Sequence, residues 1–404
     1  MRRKGDRVWL KVWFSIFLCL AIAEVGGRVA WLLRHGEFFS AGEAWKGQNA
    51  FAAEAGATLA GYTATLASHP YLAHVHKPGP SVNRQGLYGR DFPESRNPKV
   101  FQVLVTGGSV ACQLAGVQPE SGALCRKLEE KYIAADGRPI RVYNGADGGW
   151  KLPQQSIQIL LNANRFDLVI NIDGFNEHYV VKGDSYYLEM PCPNYRTVSP
   201  LGFHHQAALV GLWAAGALTR GVEKTPGLNR LWLGYAFGRG SVALAQFIDK
   251  RSRSAQNPTT LFQYPPGQDG DNFTQERQRA QLSELRRYLQ LNAVIARQQG
   301  CEYASFLQPC PAIGKALTPE ERRKVGDLGY ADVYGRMEEA YRDAGRRGNY
   351  PFLSLVEVFS KTAQSVYADQ IHCEMGADSP GYRIVSQAIA DGLVSMRLVK
   401  PLAQ

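Results

Sequence analysis

"VLVTGGSVACQL" spans Val103–Leu114. A run of β-formers stops abruptly at Gly107-Gly108-Ser109, and a stretch with helical character follows. An unbroken apolar strand of this kind is buried on both faces, as strands of parallel sheets covered by helices are. Three meanings of the Gly-Gly-Ser end compete. A phosphate-binding loop would continue Gly-Lys-Ser/Thr, which is missing. A nucleophile elbow of the G-x-S-x-G kind fails because position 111 is Ala. A plain turn with a capping serine needs nothing more, so the stretch does not decide among them alone.

Working outward, "VFQVLV" (Val100–Val105), "IRVYN" (Ile140–Asn144), "DLVINID" (Asp167–Asp173), "EYASFLQP" (Glu302–Pro309) and "YPFLSL" (Tyr350–Leu355) read as strands. Between and after them come helical patterns at Pro119–Ala134, Pro153–Asn164, Gln275–Gly300 and Ser379–Met396, the last with Ser379 as N-cap and Pro380 in its first turn. The alternation predicts an α/β fold: a three-layer α/β/α sandwich around a mostly parallel, five-stranded sheet of the flavodoxin-like kind. Residues 179–300 interrupt it as a helical insertion. Twelve clean apolar residues cannot span a bilayer, so its apolar runs, Ala207–Leu218 and Leu231–Ile248, read as helices of the insertion, with contact to a membrane or a partner protein as the alternative.

The N-terminus opens with Arg2, Arg3, Lys4 and Arg7 before an apolar run dense from Val12 to Ala23, which Glu24 and Arg28 then interrupt. A basic flank before an apolar helix holds the N-terminus in the cytoplasm and sends the rest across. Residues 1–33 are therefore expected to be an inner-membrane signal anchor, residues 34–98 a juxtamembrane linker and lead-in, and residues 99–399 the main domain in the periplasm or extracytoplasmic space. Cleavage near Ala23, after the Ala21-Ile22-Ala23 site, is the alternative and would give a secreted protein. A buried core helix fits the basic flank worst.

The chain has 404 residues, a formal net charge of +10 and a pI near 9.2. Basic balance suits anionic partners, including acidic glycans. Most arginines, such as those of "ERRKVG" (Glu321–Gly326), read as a solvated surface. Nucleic acid is not expected as a partner, because export removes it and no aromatic-basic motif is present. Of seven cysteines, Cys19 lies in the apolar helix and six remain in the exported part. Cys301 and Cys310 bracket a strand whose nine steps cover about 30 Å, too far to bridge. Two readings stand for the others: pairing among Cys112, Cys192, Cys310 and Cys373, or buried free thiols. No C-x-x-C occurs, and neither a metal nor a cofactor is indicated.

Ligands of doubly wound sheets bind at the carboxyl ends of the strands. Four such ends carry chemistry in order: Gly107-Gly108-Ser109, then Asn144 through Gly149, then Gly174-Phe175-Asn176, and finally Asp369-Gln370-Ile371-His372. This ordered set resembles the SGNH/GDSL hydrolase superfamily over about Asn83 to Val394. "VNRQGLYGRDFPE" (Val82–Glu94) and "SFLQP" (Ser305–Pro309) look like its membrane-anchored bacterial members. The resemblance implies Ser109 as nucleophile, His372 as base and Asp369 as the acid orienting it. It also implies an oxyanion hole from the N–H groups of Ser109 and Gly149 (Gly148 being the alternative) and the side chain of Asn176. Two positions depart from the pattern: Gly108 stands where Asp is usual, and Glu177 where Asp usually follows Asn176.

The resemblance further implies a serine esterase that cleaves acyl esters, O-acetyl groups first, on an envelope or secreted polysaccharide through an acyl-serine intermediate. Two alternatives use the same scaffold. One is a polysaccharide O-acetyltransferase with the same triad. The other is a non-catalytic, membrane-anchored binding or assembly protein with the 179–300 insertion as its partner surface.

Overall fold

The computed structural model describes residues 4–41, 65–116, 121–182, 214, 217, 221–225, 227–255 and 271–402. Cys192, the Ala207–Leu218 run apart from two isolated positions, and much of the predicted linker lie outside them. By contacts the chain divides into two compact units, residues 1–64 with 199–257 and residues 65–198 with 258–404.

The larger unit carries the predicted sheet. Strands β3 (Phe101–Gly107), β5 (Ile140–Asn144), β6 (Leu168–Asp173), β7 (Glu302–Leu307) and β8 (Phe352–Ser354) lie in the order β5-β3-β6-β7-β8, every neighbouring pair parallel. Every residue of β3 and β6 is buried, as their unbroken apolar runs require. The chain direction across the sheet reverses between β3 and β6, so this is where a doubly wound sheet opens its ligand crevice.

Helices cover the sheet in two groups. Helix α2 (Ser109–Ala115), α3 (Ala123–Lys131) and α10 (Pro380–Ser395) pack together. Helix α4 (Gln154–Asn162), α5 (Phe175–Lys182), α7 (Asp271–Gln298) and α9 (Ala331–Gly348) form the other group. Helix α9 buries Val333, Tyr334, Met337, Ala340, Tyr341 and Ala344, a stripe at helical spacing.

Several boundaries differ from the sequence reading. The 119–134 helix stops at Lys131, because Tyr132–Ala134 is β4, paired antiparallel with β9 (Val399–Pro401). Ser379 precedes α10, but its hydroxyl makes no capping bond and is buried without a partner. Part of the expected coil is a hairpin, β1 (Leu66–His69) with β2 (Ala73–His76). Of the cysteines, Cys19, Cys112, Cys301, Cys310 and Cys373 are free thiols. Burial pushes Cys112, Cys301, Cys310 and Cys373 up to about 12.

In the smaller unit, α1 (Lys4–His35) is one continuous helix that runs past the Ala21-Ile22-Ala23 site. It is long and apolar enough to cross a membrane, and Trp13, Phe14, Phe17 and Leu33 are exposed, unlike those of a core helix. Its Glu24 is engaged: the carboxylate accepts the N–H of Trp232 and Leu233, both at 2.8 Å, and the Arg28 guanidinium at 2.7 Å. It thereby caps the start of α6 (Trp232–Ala255). Trp31 packs edge-on to Phe39 and Tyr235, which meet each other tilted, around the same junction.

One part of "ERRKVG" is not solvated. Glu321 begins it, within α8 (Pro319–Lys324), and is enclosed with Lys315 at 3.1 Å, neither side chain reaching solvent. The Glu321 carboxylate accepts the N–H groups of Thr318, Val366 and Tyr367. Burial works to raise its carboxyl, yet those three donors and the Lys315 ammonium hold it at about 2. A depressed carboxyl stabilises the fold above its unfolded value near pH ~4.3, and this contribution is lost as pH falls towards about 2. Glu321→Gln, which leaves the Lys315 charge buried, should cost about 3–5 kcal/mol. Urea melts from pH 7 down to pH 2 check this: the variant loses least relative to wild type at the acid end.

Candidate functional site

The carboxyl end of β3 makes a turn that only glycine fits. Gly107 has φ +145°, and a Cβ there would sit 1.9 Å from the Ile172 carbonyl oxygen and 2.6 Å from the Ala111 Cβ. Its missing side chain lets β3 and β6 approach while the chain swings into α2. Ser109 is the first residue of that helix, half-buried, with Gly108 C=O accepting the Cys112 N–H at 3.0 Å.

His372 and Asp369 arrive from the segment after β8. Asp369 closes its own turn: Oδ1 accepts the N–H of Ile371 at 2.9 Å and of His372 at 2.8 Å. Its Oδ2 stands 2.8 Å from His372 Nδ1. A carboxylate only accepts, so Nδ1 carries the proton and Nε2 is left with a lone pair. Nε2 lies 2.7 Å from Ser109 Oγ and accepts its hydroxyl proton. The structure thus joins Ser109, His372 and Asp369 in one hydrogen-bonded relay. Burial tends to raise the Asp369 carboxyl, but the His372 and Ile371 N–H groups and the imidazole more than offset it and hold it below the usual carboxylate range. The carboxylate form that fixes the ring therefore survives as pH falls through that range.

The two other blocks meet one another. Asn176, on α5, donates Nδ2 to the Trp150 carbonyl at 2.7 Å. Asp147–Trp150 is a β-turn: the Trp150 N–H donates to the Asp147 carbonyl, and Gly149 stands third with φ +75°. Type II turns require that sign at that position. Gly148 has an ordinary φ and open space around it.

Both departures from the family pattern have local reasons. A Cβ at Gly108 would lie 2.6 Å from Asn176 Nδ2 and 3.0 Å from the Trp150 oxygen, so the Asn176 carboxamide fills the room that an aspartate would take. Glu177 is fully buried and bridges two blocks: Oε2 accepts the Gly174 N–H at 2.9 Å, and Oε1 the Leu152 N–H at 2.9 Å. Beside it Asp173, buried too, accepts from Asn171 and Tyr341. Burial raises both carboxyls, and the Glu177 charge raises Asp173 further.

A cavity of about 330 Å³ opens next to Asp369, lined by Phe175, His178, Lys324, Asp327 and Tyr330 among others. Among the described residues no group of three or more His, Cys, Asp or Glu side chains is placed to hold a metal. Sequence reasoning passed over Glu321, which holds the Val366–Tyr367 backbone just before Asp369, and the hairpin histidines described below. The single available signal for the latter was the His74-Val75-His76 alternation, which puts two imidazoles on one face of a strand.

No protein-family model and no curated protein matches the chain. Among solved structures it is similar to the acetyl xylan esterase AlAXEase, at 10% identity over 72% of this chain and 100% of that one, with a TM-score of 0.37. A GDSL-like lipase from Parabacteroides merdae matches at 10% identity over 74% and 97%, TM-score 0.36. An Axe2 variant, an acetylxylan esterase from Geobacillus stearothermophilus, matches at 10% over 74% and 96%, TM-score 0.37.

The two neighbouring glycines make a paired prediction. Gly107→Ala drives a Cβ into backbone and should destabilise by about 1–3 kcal/mol or more. Gly108→Ala meets the end of a side chain that can swing away, so its cost should be smaller. Thermal unfolding of both variants ranks them, and the reverse order would contradict the packing described.

Proposed function

We propose that the protein is a serine hydrolase of acyl esters, of the SGNH/GDSL type, with Ser109 as nucleophile. The observation carrying this reading is the relay from Asp369 through His372 to Ser109 Oγ. A serine hydroxyl is a weak nucleophile until a base takes its proton, and an imidazole with Nδ1–H held by a carboxylate is such a base. Ser109 Oγ attacks the acyl carbonyl carbon while its proton passes to His372 Nε2. The carbonyl oxygen becomes an oxyanion, for which the N–H groups of Ser109 and Gly149 and the Asn176 amide are the donors. Asn176 Nδ2 keeps one N–H for this after its bond to Trp150. The C–O bond to the alcohol then breaks, the alcohol leaves with the proton from His372, and an acyl-serine remains. Water, losing a proton to His372, attacks this ester, and the carboxylic acid leaves as Ser109 regains its proton.

The substrate assigned is an O-acetyl group on a carbohydrate outside the cytoplasm. Support for that finer reading comes from the sequence resemblance and from α1, which we assign as a membrane anchor with the main domain on the extracytoplasmic side. The cavity beside Asp369 offers room for the alcohol portion.

Labelling with a fluorophosphonate serine probe, together with turnover of p-nitrophenyl acetate, tests the mechanism. Ser109→Ala should lose both. Asp369→Asn should lower kcat by about 10²–10⁴-fold, and Asn176→Ala by roughly 10²–10³-fold. Folded wild type that neither labels nor turns over acyl esters would defeat the assignment. Release of acetate from acetylated glycan, measured with and without a sugar acceptor, separates hydrolysis from acetyl transfer.

A further inference from the structure

We infer that Asp147, clamped between His74 and His76 of the β1–β2 hairpin, is a positioning residue for the oxyanion-binding turn; the inference rests on the serine-hydrolase reading above. Asp147 is buried to 3% exposure at the mouth of β5, and His74 to 1%. Its Oδ1 lies 2.9 Å from His76 Nε2 and accepts the Gly148 N–H at 2.7 Å, while Oδ2 lies 3.3 Å from His74 Nε2, an ion-pair contact without hydrogen-bond alignment. Burial alone would raise this carboxyl, but the two imidazoles outweigh it and hold it below the usual range.

The clamp reaches the reacting centre through the turn itself. The Asp147 side chain fixes Gly148, and its carbonyl fixes Trp150, so both ends of the Gly148-Gly149 pair are tied to one residue. Trp150, wholly buried, packs edge-on to the His74 ring with centroids 6.2 Å apart, and its carbonyl accepts the Asn176 amide. A shift of Asp147 is therefore carried to the Gly149 N–H and to Asn176 together. Hydrogen bonding within the loop does not require two histidines from a hairpin some seventy residues earlier in the chain (|i−j| 71 for His76). Their role is to keep an ionised carboxylate in place beneath a turn whose neighbouring N–H must stay aimed at a developing negative charge. Facing the clamp are Tyr88, its ring 4.1 Å from His76, and Cys112. Burial raises both, and the Asp147 charge raises them further, so neither supplies a competing charge.

The test is steady-state kinetics on p-nitrophenyl acetate for full-length Asp147→Asn, His76→Ala and His76→Gln. Misplacing reacting groups by about 1 Å costs on the order of 10²-fold. Asp147→Asn and His76→Ala should accordingly lose about 10–100-fold in kcat with KM little changed. His76→Gln, whose amide can donate to the same oxygen, should recover most of that loss. If Asp147→Asn does not fold, the His76 pair decides. Unchanged kcat in Asp147→Asn, a loss carried by KM, or equal impairment of His76→Ala and His76→Gln would overturn the inference while leaving the hydrolase reading intact, provided wild type labels with the serine probe. Wild type that neither labels nor turns over would remove both.

Discussion

The site depends on one 2.7 Å contact between groups that lie 263 residues apart in sequence, Ser109 Oγ and His372 Nε2. Neither side chain can search for the other at no cost, since ordering each residue loses roughly 1–2 kcal/mol of backbone entropy. The fold removes that search from both ends. Gly107 pins the serine turn against β6, and Asp369 folds its own turn so that the imidazole stands over it. Behind Asp369, the Lys315–Glu321 pair holds the Val366–Tyr367 backbone, and the Ala368 N–H donates to the His372 carbonyl at 2.7 Å. A buried ion pair is weak evidence of stabilisation by itself. Here its second partner is a set of backbone N–H groups, and what it fixes is the path of the loop that carries His372.

The sheet was legible because strands buried on both faces leave unbroken apolar runs, and β3 and β6 are such strands. The four chemical blocks were legible as an ordered set, because a doubly wound sheet delivers its ligand-facing loops in a fixed sequence of strand ends. Other elements left no such trace. Glu321 sits in a run of charges, and only the tertiary path of residues 365–367 turns it from a solvated glutamate into a buried acceptor. The β1–β2 hairpin lies among Pro, Gly and Asn punctuation, and its partners are one another rather than the sheet. Glu24 and Arg28 appear as interruptions of an apolar helix, whereas in the fold Glu24 caps a second helix some two hundred residues later.

Gly108 shows how a pattern departure resolves in three dimensions. Judged by sequence, loss of the usual Asp counts against the site. In the fold, the volume next to Gly108 belongs to the Asn176 carboxamide and the Trp150 carbonyl, which are bonded to each other. A side chain at 108 and the observed place of Asn176 exclude each other. The glycine is therefore coupled to an asparagine 68 positions later, and the two are read together or not at all.

The acids around the strand ends sort by sign of shift, and the sorting has a consequence for charge. Asp369 and Asp147 each touch imidazole and backbone donors, and both lie below the ordinary range, the exposed Asp369 despite partial desolvation and Asp147 despite burial. Burial drives Asp173 and Glu177 upwards, the Glu177 charge raises Asp173 further, and the Lys151 charge and backbone N–H groups offset part of the rise at Glu177. Negative charge is thus kept where an imidazole balances it and disfavoured under the Gly174–Asn176 turn. In a low-dielectric interior an unbalanced carboxylate beneath that turn would oppose any anion forming above it.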